Sequence, residues 1–381
     1  MKQILRTIGG LLAGIIIGFG LVWLITGIAD NGDTTVNENK EIDWLLLTGS
    51  IGLAFLFLAV CGILQTILHE AGHLLGGLAT GYRMLSFRVF KYTLVNDGER
   101  MRWKRFNIPG TLGQCLMVPS EKISDNNIPY FWYNAGGVAV NLLLSVASIA
   151  VLRLFDFGAV GMAFFLMMTF TGLLMFITNG VPLTINGISN DGRNILIMAR
   201  HPEMRLHFLN MMRAAGELSR GKRMKEMPRE WFPDEPLKNP KDYFLLANRN
   251  NCMALHEDLG NLDKARDIAE EIMAFDKKLP QIFAMEIGSE RVMLELMTTN
   301  RKEVTEQLWT KQMQTYTKAS SKYSPMKLAV LCAVEMIMNN DREKAEAHHR
   351  TIADNLNDYA MPGEAKTALE LTGHILNSTE N

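Results

Sequence analysis

Residues 69–73 read His-Glu-Ala-Gly-His. Four residues are slightly more than one helical turn, so on a helix His69 and His73 project from one face and can share a metal ion. Glu70 stands beside them, placed to take a proton from a metal-bound water rather than to bind the metal. The ion this pattern suits is Zn2+, one per chain, and the chemistry is hydrolysis. The competing explanation is a chance match in a chain with 8 histidines. The setting argues against chance. The motif lies in an apolar run that begins near Trp44, and ionisable side chains at membrane depth are costly.

A zinc hydrolase needs a third protein ligand and leaves the fourth position to water. The candidate is Asp191, at the end of a segment reading Asn-Gly-Val-Pro-Leu-Thr-Ile-Asn-Gly-Ile-Ser-Asn-Asp-Gly over 179–192. Its proline and repeated glycines disfavour a regular helix. A broken backbone at membrane depth is tolerated where it is buried in protein or lines a polar cavity. The same residues also read as an Asn-Asp-Gly turn at the point where the chain leaves the membrane. Spacing alone does not choose between the two.

The elements that must position these residues are apolar. Whole-chain values (381 residues, net charge -1, 48% hydrophobic) resemble those of a soluble protein. The apolar residues, however, fall mostly before about Gly180 and the charge mostly after it. Four stretches, 8–28, 44–79, 132–152 and 159–178, reach the roughly 20 residues that a bilayer span requires. The second is longer than one span, which puts its histidines near a membrane face or against other helices. Lys2 and Arg6 precede the first span, and the loop 29–43 has only Lys40 against five acidic residues. The connection 81–130 carries eight basic residues, among them Arg83, Arg88, Arg102 and Lys104. Positive residues favour the cytoplasmic side, so the expectation is a multi-pass protein of the cell membrane with both termini cytoplasmic. The first stretch also has the form of a secretory signal, which would leave the remaining topology unchanged. The cysteines at 61, 115, 252 and 332 form no CxxC pair, so neither a disulfide framework nor a thiolate site is expected.

In their order along the chain these motifs resemble the site-2 protease family of intramembrane zinc metalloproteases. That family pairs HExxH on one membrane helix with Asn-x-x-Pro…Asp-Gly on a later one. The matching residues are His69, Glu70 and His73, then Asn179, Pro182, Asp191 and Gly192. Between them, Gly137-Val138-Ala139-Val140-Asn141 meets a Gly-x-x-x-Asn feature. The resemblance implies zinc held by His69, His73 and Asp191, Glu70 as general base, and Asn141 near the substrate path. For Gly137, a small-residue helix contact is the alternative. The gap from proline to aspartate is longer than the family's usual form, and Asn190 precedes the aspartate. No stretch between His73 and Asn179 is long enough for the PDZ domain many relatives insert.

The expected fold is an α-helical polytopic membrane protein with about four transmembrane helices, a site-2-protease-like core and a small cytoplasmic β-hairpin. An all-α soluble domain of tetratricopeptide-like type, or an ordinary helical bundle, follows. The boundaries read as 1–192 for the membrane domain, 193–242 for a proline-punctuated linker with short helices, and 243–381 for the helical domain. The hairpin is predicted within 86–106, around Asn96-Asp97-Gly98, as strands at a headgroup boundary or as a basic loop on anionic lipid. The tetratricopeptide-like expectation rests on a weak repeat of about 40 residues, beginning at Gly260, Asn300 and Asn340. His348 and His349 read as a solvated helix face rather than a metal pair.

The function expected is endoproteolysis of membrane-spanning substrates, which the resemblance narrows to signalling precursors, remnant signal peptides or pheromones. Two alternatives remain: a non-catalytic scaffold that binds substrate helices, and a membrane-face zinc peptidase acting on soluble or peripheral peptides. The partners implied are the bilayer, a membrane-protein or signal-peptide substrate, and a protein on the C-terminal helices. Nothing points to nucleic acid.

Overall fold

A computed structural model of the chain describes residues 44–96, 100–105, 112–185, 187–240, 242–275 and 278–377. The first apolar stretch and the loop after it lie outside the described residues. So do the tip of the predicted hairpin and the last four positions.

Three helices, α1 (Trp44–Ala79), α2 (Phe131–Leu154) and α3 (Gly158–Gly180), are long and apolar enough to cross a membrane. They are hydrophobic all round, and Phe55, Leu143 and Val160 are among the large side chains they leave on the outside. Such helices are at home only in a large core or in lipid. α1 ends where Gly81 takes a left-handed turn (φ 95) into the first strand. α3 ends at Gly180 because Pro182 restricts Val181 to extended backbone (φ -71, ψ 125).

The described chain forms two compact units. One comprises 44–72 and 136–181, the other 73–135 and 182–377. The first is the apolar helical unit. Its tightest approach is at Gly72, within the HExxH sequence itself, where a Cβ would meet the Gly136 carbonyl and the Gly137 Cα. Gly172 of α3 is equally crowded, against Ser145 and Gln65. Glycine at these positions lets the helices approach closely enough for side chains such as Gln65 and Asn141 to hydrogen-bond across, a packing mode of membrane helices.

The second unit begins with an antiparallel sheet of β1 (Tyr82–Val89), β2 (Tyr92–Asn96), β3 (Met101–Arg105) and β4 (Gly113–Pro119), in the order β3-β2-β1-β4. The predicted hairpin is β2–β3, with Asn96 opposite Met101. The run read as one strand before it is two. The chain reverses at Phe90, which adopts φ 54, so that Val89 pairs with Tyr92. The buried Arg88 donates to the Phe90 carbonyl at 2.8 Å and fastens that turn.

After the three apolar helices come a two-stranded ribbon, β5 (Thr184–Ile185) and β6 (Ile188–Ser189), then α4 (Asp191–Arg200) and α5 (Met204–Ser219). The stretch read as a linker therefore contains core elements. Met198, Phe208, Leu209 and Met212 pack with Tyr82, Met84 and Met117 of the sheet. The remainder is helical: α6 (Tyr243–Asp258), α7 (Leu262–Met273), α8 (Gln281–Met297), α9 (Lys302–Leu308), α10 (Lys311–Ser320), α11 (Pro325–Ala333), α12 (Arg342–Asp354) and α13 (Pro362–Asn377). The weak 40-residue repeat has a physical basis here. Gly260, Asn300 and Asn340 all take left-handed φ (74, 47 and 52), each ending one helix before the next begins. Glycine and asparagine tolerate that conformation best. His348 and His349 are half-buried rather than solvated. His349 Nδ1 lies 2.7 Å from the hydroxyl of Thr372 on α13, and burial pushes the His348 pKa down.

Candidate metal centre

α1 carries both histidines one turn apart, and each is held by a different partner. In the apolar unit, His69 Nδ1 lies 2.6 Å from Asn141 Oδ1. Asn141 is fully buried, and its amide nitrogen donates to the side chain (2.7 Å) and backbone carbonyl (3.2 Å) of Gln65. Gln65, also fully buried, donates to the Met168 carbonyl of α3 at 3.0 Å. Those two amide donors fix the direction of the chain. Asn141 turns its oxygen to His69, so Nδ1 is the donor of that bond.

In the second unit, His73 Nδ1 lies 2.7 Å from the Tyr133 backbone carbonyl. A carbonyl can only accept, so Nδ1 is again the protonated nitrogen. His73 Nε2 then faces Asp191 Oδ2 at 3.4 Å. Donors bound tetrahedrally at about 2.1 Å from zinc stand roughly 3.4 Å apart, which this pair meets. His69, His73 and Asp191 form a group whose ligand atoms all lie within 4.8 Å of one another, the one such group found among the described residues. Both histidines are buried and Asp191 is half-buried. Two imidazole nitrogens and one carboxylate oxygen, with each ring's other nitrogen engaged by an oxygen acceptor, are a donor set that fits zinc.

Asp191 is delivered by its neighbour. Asn190 caps α4, accepting from Arg193 N at 2.9 Å, and the same oxygen accepts from Leu183 N at 3.0 Å. One side chain thus closes the β5–β6 ribbon, turning on Gly187 at φ 86, and starts the helix. Asp191 occupies the first helical position, where a carboxylate is also favoured by the helix dipole. The Asn-Asp-Gly sequence is therefore a helix start, and its asparagine is the cap preference that sequence could have revealed. Asn194, one turn on, reaches Asn134 at 3.4 Å and ties α4 to the start of α2.

Of the residues singled out in sequence, the structure groups His69, His73 and Asp191, and leaves Glu70 half-buried on the same helix next to His69. Asn141 lies against His69 rather than in a cleft of its own. Asn179 ends α3, its amide donating to the Met175 carbonyl at 3.0 Å. Gln65 and the Tyr133 carbonyl were not anticipated. All four cysteines are buried and free. No protein-family model matches the chain, and neither does any curated protein or solved structure.

Proposed function

We propose that this chain is an intramembrane zinc endopeptidase of the site-2 protease type. On this reading it is a multi-pass membrane protein with both termini cytoplasmic, and its helical C-terminal region receives a protein partner. The observation that carries the reading is the grouping of His69, His73 and Asp191, with each ring's Nδ1 held by an oxygen acceptor. His69, His73 and Asp191 hold the ion. When bound, zinc supplies Lewis acidity and brings the pKa of a coordinated water to about 7.

The protein's own groups do the rest. Glu70, one position from His69, takes the proton of the attacking water and returns it to the leaving amine. Gln65 and Asn141 hold the His69 ring in the tautomer that binds metal through Nε2. The substrate is a membrane-spanning peptide of the signalling-precursor, remnant-signal or pheromone type. It unwinds at the scission point, because helical amides are already hydrogen-bonded and shielded.

The test compares membrane-derived peptide fragments in cells producing the wild type with those producing Glu70→Gln. Glu70-dependent fragments ending inside an apolar segment are the expected outcome, with a fall of about 10²–10⁴-fold in cleavage and zinc retained. Fragments cut outside any apolar segment favour the membrane-face peptidase. Undiminished cleavage by Glu70→Gln removes Glu70 as the base.

A further inference from the structure

Two of the three candidate ligands are served by neighbouring residues at the start of α2. Asn134 accepts from Asn194 of α4, one turn beyond Asp191, at 3.4 Å. Tyr133 serves His73 with its main chain, its carbonyl taking the bond from Nδ1 at 2.7 Å. The Tyr133 side chain is itself held at its tip and along its ring. Its hydroxyl donates to the Cys115 carbonyl of β4 at 3.0 Å. Its ring packs against those of His73, Tyr82 and Phe208, with centroids 5.8, 5.6 and 6.0 Å away. These neighbours come from α1, β1 and α5, so elements far apart in sequence meet on one tyrosine. Gly77, one turn after His73, makes the room: a Cβ there would meet Tyr133 Cδ2 at 3.3 Å and Met117 Cε at 2.7 Å.

The acceptor on a histidine's second nitrogen sets how the ring faces a metal, and that acceptor must itself be held still. Tyr133 lies in the first turn of α2, and helix ends fray. The bond to Cys115 ties that turn to the sheet. We propose that Tyr133 is a positioning residue of the metal centre: its hydroxyl, anchored on β4, keeps its own carbonyl where His73 meets it. This role rests on the zinc reading but not on the reaction that zinc serves. The sheet thereby shares in setting the metal geometry, although the candidate ligands lie on α1 and α4. Tyr82 supplies the contrast within the same ring stack. Its hydroxyl is buried and has no hydrogen-bond partner among the described residues.

The experiment titrates the full-length protein in detergent, stripped of metal, with Co2+ and then with Zn2+ in competition. The Co2+ absorption bands read coordination geometry, and the competition reads zinc affinity. Tyr133→Phe keeps the ring and the main-chain carbonyl and removes only the hydroxyl. Its affinity is expected to fall about tenfold, with the Co2+ bands displaced from their wild-type positions. Tyr82→Phe deletes a hydroxyl from the adjoining ring and should keep both the affinity and the bands of the wild type. A merely structural Tyr133 would lower Tm in Tyr133→Phe and leave affinity and bands in place, which overturns the proposal while the zinc reading stands. An equal fall in both variants would be a general loosening of the aromatic core and overturns it as well. A wild type that binds neither ion removes the zinc reading and this role together.

Discussion

Two of the buried polar networks among the described residues are built on opposite terms. In the apolar unit, Gln65, Asn141 and His69 are joined by neutral, directed hydrogen bonds that end on a main-chain carbonyl. In the helical region the network is ionic. The fully buried Lys327 reaches Glu290 at 2.6 Å and Glu286 at 2.8 Å, with Tyr316 donating to Glu286. Burial works against the Lys327 ammonium, but the two carboxylates outweigh it and hold its pKa above the ordinary value. There is not enough positive charge to go round. Burial and the charge of Glu290 push the Glu257 pKa well up, and burial with Glu290 and Glu286 raises Glu364 to about 7.

The contrast is one of purpose. A charged cluster can be held in a protein interior if its charges are paired, and what it does there is hold helices together. A chain of neutral amides cannot repay much stability, but it fixes how a histidine ring is oriented. That is the property a metal site requires.

Three substitutions sharpen or break this comparison. Lys327→Met leaves the buried Glu290 and the partly exposed Glu286 without their cation and is expected to cost about 3 kcal/mol of stability, with zinc binding by the folded protein unchanged. Thermal unfolding and metal titration of the same sample check both halves, and a variant as stable as the wild type would show the cluster is not structural.

Asn141→Ala has the opposite profile. Removal of a partner to a metal-binding histidine typically costs 10–100-fold in metal affinity, and that loss is expected here with a smaller change in Tm. Unchanged zinc affinity would reduce Asn141 to a helix contact. Restoration of affinity by Asn141→Asp, which keeps the acceptor, would identify the hydrogen bond to His69 as the cause.

The smallest effect is in pH dependence. Glu364 has a folded pKa of about 7 against an ordinary 4.5, so its folded form holds a proton that the unfolded chain releases. The stability tied to that proton is complete below pH 4.5 and is lost as pH rises through 7. Glu364→Gln should flatten the fall in Tm across that window, and an identical slope would contradict the assignment.

How much of this was legible in sequence depended on how local the cause was. His69, Glu70 and His73 were legible because one helical turn places them. The weak repeat marked Gly260, Asn300 and Asn340 but not their left-handed turns, which glycine and asparagine tolerate best. The reversal at Phe90 was hidden, since phenylalanine is no turn signal and the run around it is uniformly strand-forming. The bond from Asn141 to His69 was hidden for a different reason. It exists only because Gly72 and Gly136 let two helices touch, and a single sequence does not state which glycines meet. Asp191 stood between. Its cap was written in Asn190, but its partner, His73, lies 118 positions away in the sequence.

The most direct test of the account is the zinc content of the full-length protein, purified in detergent without chelator, beside His69→Ala, His73→Ala and Asp191→Ala. One zinc per chain is expected in the wild type and in Glu70→Gln, and a loss in each of the three alanine variants while the protein stays folded. A wild type that purifies folded and cannot be loaded with zinc, or an Asp191→Ala protein that binds it as tightly as the wild type, would contradict it.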